Sequence, residues 1–184
     1  GDAFNLDRAT IKGEMILINA KAKGNVRLLG AKIEGDINCR EAIFESNKNM
    51  AFAADRAIVN GNVVLFKVKA KGEVRLSGTI IAGDLVCQEA AFENPEGHAF
   101  IGEKLRINGT LFINNLQNLD GAMSLIHANI AQLTDDASGW PKLDKLNLDG
   151  FVFCLSRKWT MQPSESLDIR ILRNCRFSDM PAAA

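Results

Sequence analysis

The sequence predicts an all-β protein: a right-handed parallel β-helix solenoid of about 22 residues per turn, closed by a C-terminal cap. Three observations predict this fold. The chain repeats itself every 48 residues, apolar and polar residues alternate within short segments, and glycines recur at a spacing of 11. Alternation at period two is typical of strands, and an internal repeat of this length is typical of stacked structural units.

The 48-residue repeat is visible when residues 1–56 are aligned with residues 49–104, which gives 25 identities in 56 positions. The longest match, K-A-K-G-x-V-R-L-x-G, begins at Lys21 and again at Lys69, and a weaker third copy begins at Leu105. Because residues 1–4 already match residues 49–52, the sequence begins within a repeat, and we expect further turns upstream. The repeats are predicted over residues 1–133, followed by an irregular turn and a capping segment over 134–184.

A finer unit, A-x-I-x-G-x-V-x-L, recurs within each repeat. Two 11-residue halves make one turn, and two turns plus a four-residue insertion make the 48 residues. Stacked turns should align inward side chains in columns, with about 4.8 Å between turns. Four apolar columns are predicted: Ile11, Ile33, Val59, Ile81 and Ile107; Leu17, Cys39, Leu65, Cys87 and Ile113; Ala22, Phe44, Ala70 and Phe92; and Phe4, Leu28, Phe52, Leu76 and Phe100.

The four cysteines, Cys39, Cys87, Cys154 and Cys175, form no C-x-x-C pair and have no histidine at zinc-binding spacing. Their flanking alternation indicates small buried apolar residues. Cys39 and Cys87 would lie two turns apart, roughly 9–10 Å, which is too far for a disulfide. This cysteine usage favours a reduced, cytoplasmic protein.

Column residues that step alternately by six and five resemble the pattern of pentapeptide-repeat proteins and, more loosely, the right-handed β-helices of bactofilins. The motif A-x-I-x-G-D-[IL]-x-C-x-E-A-x-F, with a later W-P and L-x-L-D-G-F between Trp140 and Phe151, resembles bacterial β-helix proteins of poorly characterised function. Some of those proteins carry the automatic label of membrane-associated oxidoreductase. The resemblance implies a right-handed solenoid, and it offers no cofactor residues to carry over.

The pattern changes after the third repeat. Residues 134–141 have the composition of a loop, and residues 146–153 look like one more irregular turn. Residues 164–177 fit either a helix after Pro163 or a final pair of strands. In both cases this segment is the expected cap, because a solenoid must cover its terminal apolar rung.

The chemistry visible in the sequence favours no enzyme. Lys+Arg and Asp+Glu both number 22, which argues against a nucleic-acid binder and against an acidic DNA mimic, and no apolar run is long enough for a membrane span. His98 and His127 have no second histidine or carboxylate at the spacing of metal ligands. The adjacent Asp135 and Asp136 lie in a predicted loop, where aspartates more often cap backbone N–H groups than catalyse. Asp36 over Asp84 could form a carboxylate pair across turns, but charged outward columns are usually solvated. No catalytic, cofactor-binding or metal-binding residue is predicted.

We therefore expect a non-enzymatic scaffold or protein-interaction module that is either cytoplasmic or membrane-peripheral. The alternatives are an enzyme, as the oxidoreductase label suggests, or a binder of an anionic polysaccharide or a membrane surface. The candidate surface combines a basic stripe with the two insertions at residues 45–50 and 93–98. Its residues are Lys21, Lys23, Arg27, Lys69, Lys71, Arg75, Asn47, Lys48, Glu96 and His98. Because intervening turns carry Glu41 and Glu89, mutual solvation of lysine and glutamate is the competing interpretation.

The first turn is predicted to expose an apolar rung and unpaired strand edges around Phe4 and Ile11. Unpaired edges recruit other strands unless they are blunted or covered. We expect a symmetric dimer that joins two N-terminal ends, since the C-terminal segment should prevent head-to-tail polymerisation.

Overall fold

The computed structural model describes residues 1–153 and the strand Arg176–Phe177, and it is a parallel β-solenoid of about six turns. The predicted all-β parallel solenoid is confirmed. Within the described residues only two short 3-10 helices, Ala137–Gly139 and Leu143–Lys145, interrupt the strands. No helix in that part of the chain is long and apolar enough to cross a membrane.

Twenty short strands follow one another along the described chain. They are β1 Asp2–Asn5, β2 Thr10–Ile11, β3 Met15–Ile16, β4 Lys21–Lys23, β5 Asn25–Arg27, β6 Lys32–Ile33, β7 Ile37–Asn38, β8 Ile43–Ala53, β9 Ile58–Val59, β10 Val63–Val64, β11 Lys69–Arg75, β12 Ile80–Ile81, β13 Leu85–Val86, β14 Ala91–Ile101, β15 Arg106–Phe112, β16 Asn118–Ser124, β17 Asn129–Thr134, β18 Leu146–Asn147, β19 Val152–Phe153 and β20 Arg176–Phe177. The described pairings are parallel, so each strand lies beside its counterpart in the next turn.

The strands form two sheets, and each sheet bends to cover two sides of the solenoid. An eight-stranded sheet contains β1, β4, β5, β8, β11, β14, β16 and β18, and the remaining twelve strands form the second sheet. The first sheet bends where Gly24, Gly72 and Gly121 have φ between 116° and 134°. The second bends at a column of stacked glycines, Gly13, Gly35, Gly61, Gly83 and Gly109, whose backbones hydrogen-bond to each other.

Two further corners join the sheets, and both are built from residues in the left-handed conformation. One, which we call the arginine corner, consists of Arg8, Gly30, Arg56, Gly78, Lys104, His127 and Gly150, with φ between 54° and 66°. The other consists of Asn19, Glu41, Lys67, Glu89 and Asn115. Non-glycine residues there cost about 1–2 kcal/mol each, which the backbone hydrogen bonds to the next turn help to offset.

Three of the four predicted apolar columns are confirmed by the register. Ile11 lies level with Ile33 and Val59, and the Cys39 N–H donates to the next turn beside Leu65. In the third column, Phe44 lies between Ala22 and Ala70. This alternation of a large ring with a methyl group fills a narrow core without voids.

The fourth predicted column is wrong by two residues. Phe4 and Phe52 lie level with Val26, and Phe100 lies level with Val74. Leu28 and Leu76 lie two residues further along, where they begin the arginine corner. Val26 and Leu28 are both buried, as are Val74 and Leu76, because residues two apart on a strand point to the same face, so alternation alone does not separate them.

The four-residue insertions lie inside β8 and β14. Turns without an insertion pass the corner with a single glycine, such as Gly24, whereas the long strands bulge there and shift register. The rings on either side of each bulge pack together: the centroids of Phe44 and Phe52 are 5.6 Å apart, and those of Phe92 and Phe100 are 5.8 Å apart.

The C-terminal part continues the stack as far as the structure describes it. β18 and β19 pair with β16 and β17, which gives the additional turn expected at 146–153. Strand β20 pairs with β19, so residues 176–177 follow the strand alternative. The rest of the 164–177 segment, Cys154 and Cys175 lie outside the described residues. The boundary between repeats and cap at residue 133 stays a prediction. The dimer through the first turn also stays a prediction, and Phe4 in that turn is 40% exposed, as such an interface requires.

Cys39 and Cys87 are free thiols buried in the core. Burial raises the pKa of the Cys39 thiol to about 12 and raises that of Cys87 further. Since the thiolate is the reactive form, we expect neither cysteine to be alkylated by iodoacetamide at pH 8 in the folded protein, and both to react in urea. Peptide mass spectrometry would measure this. Rapid alkylation of either thiol without denaturant would contradict the core assignment.

Candidate ligand-binding grooves

The predicted lysine stripe is present as a flat outer face that we call the lysine face. It comprises two rows of outward residues on β4, β8, β11, β14 and β16. The rows are Lys21, Ile43, Lys69, Ala91 and Asn118, and Lys23, Glu45, Lys71, Glu93 and Asp120. A groove of about 730 Å³ runs along its edge and brings Lys21 and Lys69 together with Glu41, Lys67 and Glu89.

Along the second row the charge alternates in sign from Lys23 to Glu93, whereas the first row alternates lysine with an apolar residue. Lys71 Nζ lies 3.5 Å from Glu45 Oε1, and beside the face, in the groove at its edge, Lys67 Nζ lies 3.5 Å from Glu89 Oε2. Exposed pairs of this kind contribute about 0–1 kcal/mol each. The face is therefore a mixed surface rather than a basic patch, as the competing interpretation expected.

Arg27 and Arg75 do not belong to this face, because the glycine bend of the first sheet separates them from the lysines. They approach the arginine corner instead, where each makes an ion pair with an aspartate of the preceding turn. The distances are 2.5 Å from Arg27 to Asp7 and 2.7 Å from Arg75 to Asp55. The other oxygen of each aspartate accepts a backbone N–H of the next turn, at Leu29 and Ser77.

A second groove, of about 690 Å³, lies at the arginine corner, and we call it the arginine groove. Arg8, Arg27, Arg56 and Arg75 line it together with Asp7 and Asp55. No role for Arg8 or Arg56 was predicted from the sequence. The signal that could have identified them is the dipeptide Asp7-Arg8, which recurs as Asp55-Arg56 at the same place in the next repeat. Both side chains are exposed, and neither makes an ion pair with any residue that the structure describes.

Glu96 and His98, the described residues among the predicted insertion sites, do not line either groove. Glu96 and His98 are exposed in β14, where Asn94 Nδ2 donates to the His98 carbonyl at 2.9 Å. Burial raises the pKa of the nearby Glu73 carboxyl, while the charges of Arg75 and His98 oppose that shift. Asn47 and Lys48 belong to β8, but their side chains lie outside what the structure describes.

The acidic residues considered for catalysis have structural roles. Asn62 lies between Asp36 and Asp84, so these two carboxylates do not form a pair. Asp36 Oδ1 accepts the N–H of Asn62 at 2.7 Å, and Asp84 Oδ1 accepts the N–H of Thr110 at 2.7 Å. This ladder explains the G-D dipeptide of the motif: the side chain beside each stacked glycine holds the next turn in place.

Asp135 and Asp136 fasten the first 3-10 helix, as expected. Asp136 caps it by accepting the Ser138 N–H at 2.9 Å; burial would raise the pKa of Asp136, but its hydrogen bonds to Ser138, Asn115 and Gly139 lower it. The Asp135 carboxylate accepts from Trp140 Nε1 at 2.6 Å, and burial raises its pKa.

Across residues 1–153, no group of three or more histidine, cysteine, aspartate or glutamate side chains is arranged to hold a metal ion. Comparison of the chain with protein-family models, with curated proteins and with solved structures found no match. The fold therefore stands as a β-solenoid, and the two grooves are the features from which function is argued.

Proposed function

We propose that the protein is a non-enzymatic interaction module that binds a protein partner through the lysine face. The observation that carries this proposal is the alternation of charge along one of the two rows of that face. In the row that begins at Lys23, lysine and glutamate follow one another over four turns, at the strand spacing of about 4.8 Å.

An alternating row selects for a partner that matches it at contact distance. Neighbouring positive and negative charges in this row lie closer together than the screening length of about 8 Å in physiological salt, so their fields largely cancel before they reach a distant ligand. A uniformly anionic surface, such as a membrane, would be attracted by Lys69 and Lys71 and repelled by Glu45 and Glu93. A folded protein with complementary charges avoids this repulsion, and such patterning contributes specificity more than raw affinity.

The test is a charge reversal on the lysine face. We expect Lys69→Glu with Lys71→Glu to weaken binding of a partner at least tenfold while thermal stability changes little, because both side chains are exposed. Proteins captured by the wild type would be identified by quantitative mass spectrometry, purified, and titrated against both forms by calorimetry. The matched control is Lys32→Glu with Arg106→Glu, which reverses two exposed cations on another side of the solenoid. Equal affinity of all three forms would contradict the proposal.

The enzymatic alternative is tested separately. An oxidoreductase would bind a nicotinamide or flavin nucleotide, and we expect calorimetric titration of the purified protein with either nucleotide to show no saturable binding. Saturable binding at micromolar concentration would overturn the non-enzymatic part of the proposal. Binding of a protein partner to the lysine face is tested separately, by the charge reversal.

A further inference from the structure

We propose that the arginine groove is a binding site for a linear anionic polysaccharide whose acidic groups are widely spaced, such as one with an acidic sugar at every second position. The site is separate from the lysine face, so the inference does not depend on the proposed protein partner. Its basis is the charge left unneutralised along the arginine corner and the spacing of that charge.

The first step concerns which charges are neutralised. Asp7 and Asp55 are occupied by Arg27 and Arg75 and by backbone N–H groups of the next turn. In the weaker third repeat, Glu103 accepts from Ser124 Oγ at 2.9 Å instead. The carboxylates of this corner are thus engaged in holding the turns together.

The second step concerns the cations that remain. Arg8, Arg56 and Lys104 are exposed at equivalent left-handed positions, with φ of 61°, 59° and 57°. None of the three makes an ion pair with a described residue. The nine residues that line the groove include four arginines and two aspartates, so its net charge is +2, in a chain whose net charge is zero.

The third step concerns the glycines between the cations. Gly30 and Gly78 occupy the same corner positions on the intervening turns, so no side chain projects from those two positions. Arg8 Cγ lies 3.9 Å from the position of a Cβ on Gly30, and Arg56 Cγ lies 3.6 Å from that of a Cβ on Gly78, so each arginine side chain passes over the glycine of the next turn. The corner therefore carries a cation at every second turn.

The spacing selects the ligand. Cations two turns apart are separated by about 9–10 Å along the axis. Phosphates of duplex nucleic acid follow one another at about 3.4 Å along each strand, so most of them would meet no cation at this corner. A chain of sugars with an acidic group at every second residue presents anionic groups at a much wider interval, so each carboxylate can meet one cation and the neutral sugar can span the intervening turn.

The experiment is a calorimetric titration of the purified protein with three probes. They are a hyaluronan octasaccharide, which has a carboxylate on every second sugar, an oligogalacturonate of the same length, which has one on every sugar, and an oligothymidylate. We expect saturable, salt-sensitive binding of the hyaluronan probe and weaker binding of the other two. Tighter binding of the galacturonate or of the oligothymidylate would overturn the spacing argument, and absence of binding by all three would overturn the site.

Variants locate the binding. We expect Arg8→Ala, Arg56→Ala and Lys104→Ala each to weaken hyaluronan binding about five- to tenfold, as loss of one hydrogen bond of ordinary strength does, and the triple variant to abolish it. The control, Lys21→Ala with Lys23→Ala and Lys69→Ala, removes three cations from the lysine face, and affinity should not change. An equal loss in that control would show attraction by overall charge and overturn the proposal. This control changes only the lysine face, to which the protein partner is assigned, and the three test variants change only the arginine corner. Failure of one proposal would therefore leave the other unaffected.

Discussion

Replacing Phe44 by alanine is expected to lower the free energy of unfolding by about 3–5 kcal/mol, the range measured for large-to-small changes in close-packed cores. Phe44 is 1% exposed, lies between the methyl groups of Ala22 and Ala70, and packs against Phe52. Neither alanine can extend into the space that the ring would leave, so a cavity would remain. Phe92→Ala should behave in the same way, since it occupies the equivalent position two turns on. Urea denaturation followed by circular dichroism measures both.

The matched control for this prediction is Phe66→Ala. Phe66 is only partly buried on the outer surface, with the guanidinium of Arg40 5.2 Å and the ammonium of Lys67 5.1 Å from its ring centre. Its removal loses exposed cation–π contacts of about 0.5–1 kcal/mol each but opens no cavity. A loss below about 1 kcal/mol for Phe44→Ala or Phe92→Ala would show that the ring column does not form the core.

The core could be predicted from sequence because a solenoid converts a linear repeat into columns. The 48-residue period consists of turns of about 22 residues. Counting one turn along the chain therefore places Ile11 level with Ile33 and Ala22 level with Phe44, as the structure has them. The column through Phe52 could not be fixed in this way, since it lies just beyond the insertion. There, Val26 and Leu28 are both apolar and point inward, and only the path of the bulge decides which of them lies level with Phe52.

The candidate site was predicted less completely, for a related reason. Lys21, Lys23, Arg27 and their counterparts are close in sequence, and they were expected to form one stripe. The positive φ of Gly24 turns the chain between them, which sends the lysines to one side and Arg27 to the next. The arginine groove depends on contacts between turns, such as that of Arg27 with Asp7, 20 residues apart. A turn of about 22 residues places these two residues in neighbouring turns, but it does not show that Arg27 lies beyond the bend at Gly24.

A recurring glycine at a corner has two possible causes, a left-handed backbone or close approach of a neighbouring chain, and the structure assigns these causes to different corners. Gly24 and Gly72 have positive φ, whereas Gly35, Gly61 and Gly83 do not. The latter are required because the backbone of the neighbouring turn leaves no space for a side chain. These two causes predict different responses to mutation.

Gly61→Ala is therefore expected to lower the free energy of unfolding by about 2–5 kcal/mol, through steric strain and the weakening of a partly buried hydrogen bond. A Cβ at Gly61 would lie 2.8 Å from the carbonyl carbon of Gly35 and 2.9 Å from the backbone nitrogen of Asp36. Backbone atoms cannot move aside as a flexible side chain can. The added methyl group would also displace the Asp36 carboxylate, which holds the N–H of Asn62.

Gly13→Ala provides the matched control, because it makes the same substitution at the equivalent position of the first repeat. A Cβ there would meet no atom within 4 Å, so the free energy of unfolding should change by less than about 0.5 kcal/mol. Thermal and urea denaturation of both variants would separate a requirement for close approach from a general preference for glycine. If Gly61→Ala were tolerated as well as Gly13→Ala, the turns could not be stacked as tightly at this corner as the hydrogen bonds from Gly35 to Gly13 and from Gly61 to Gly35 require.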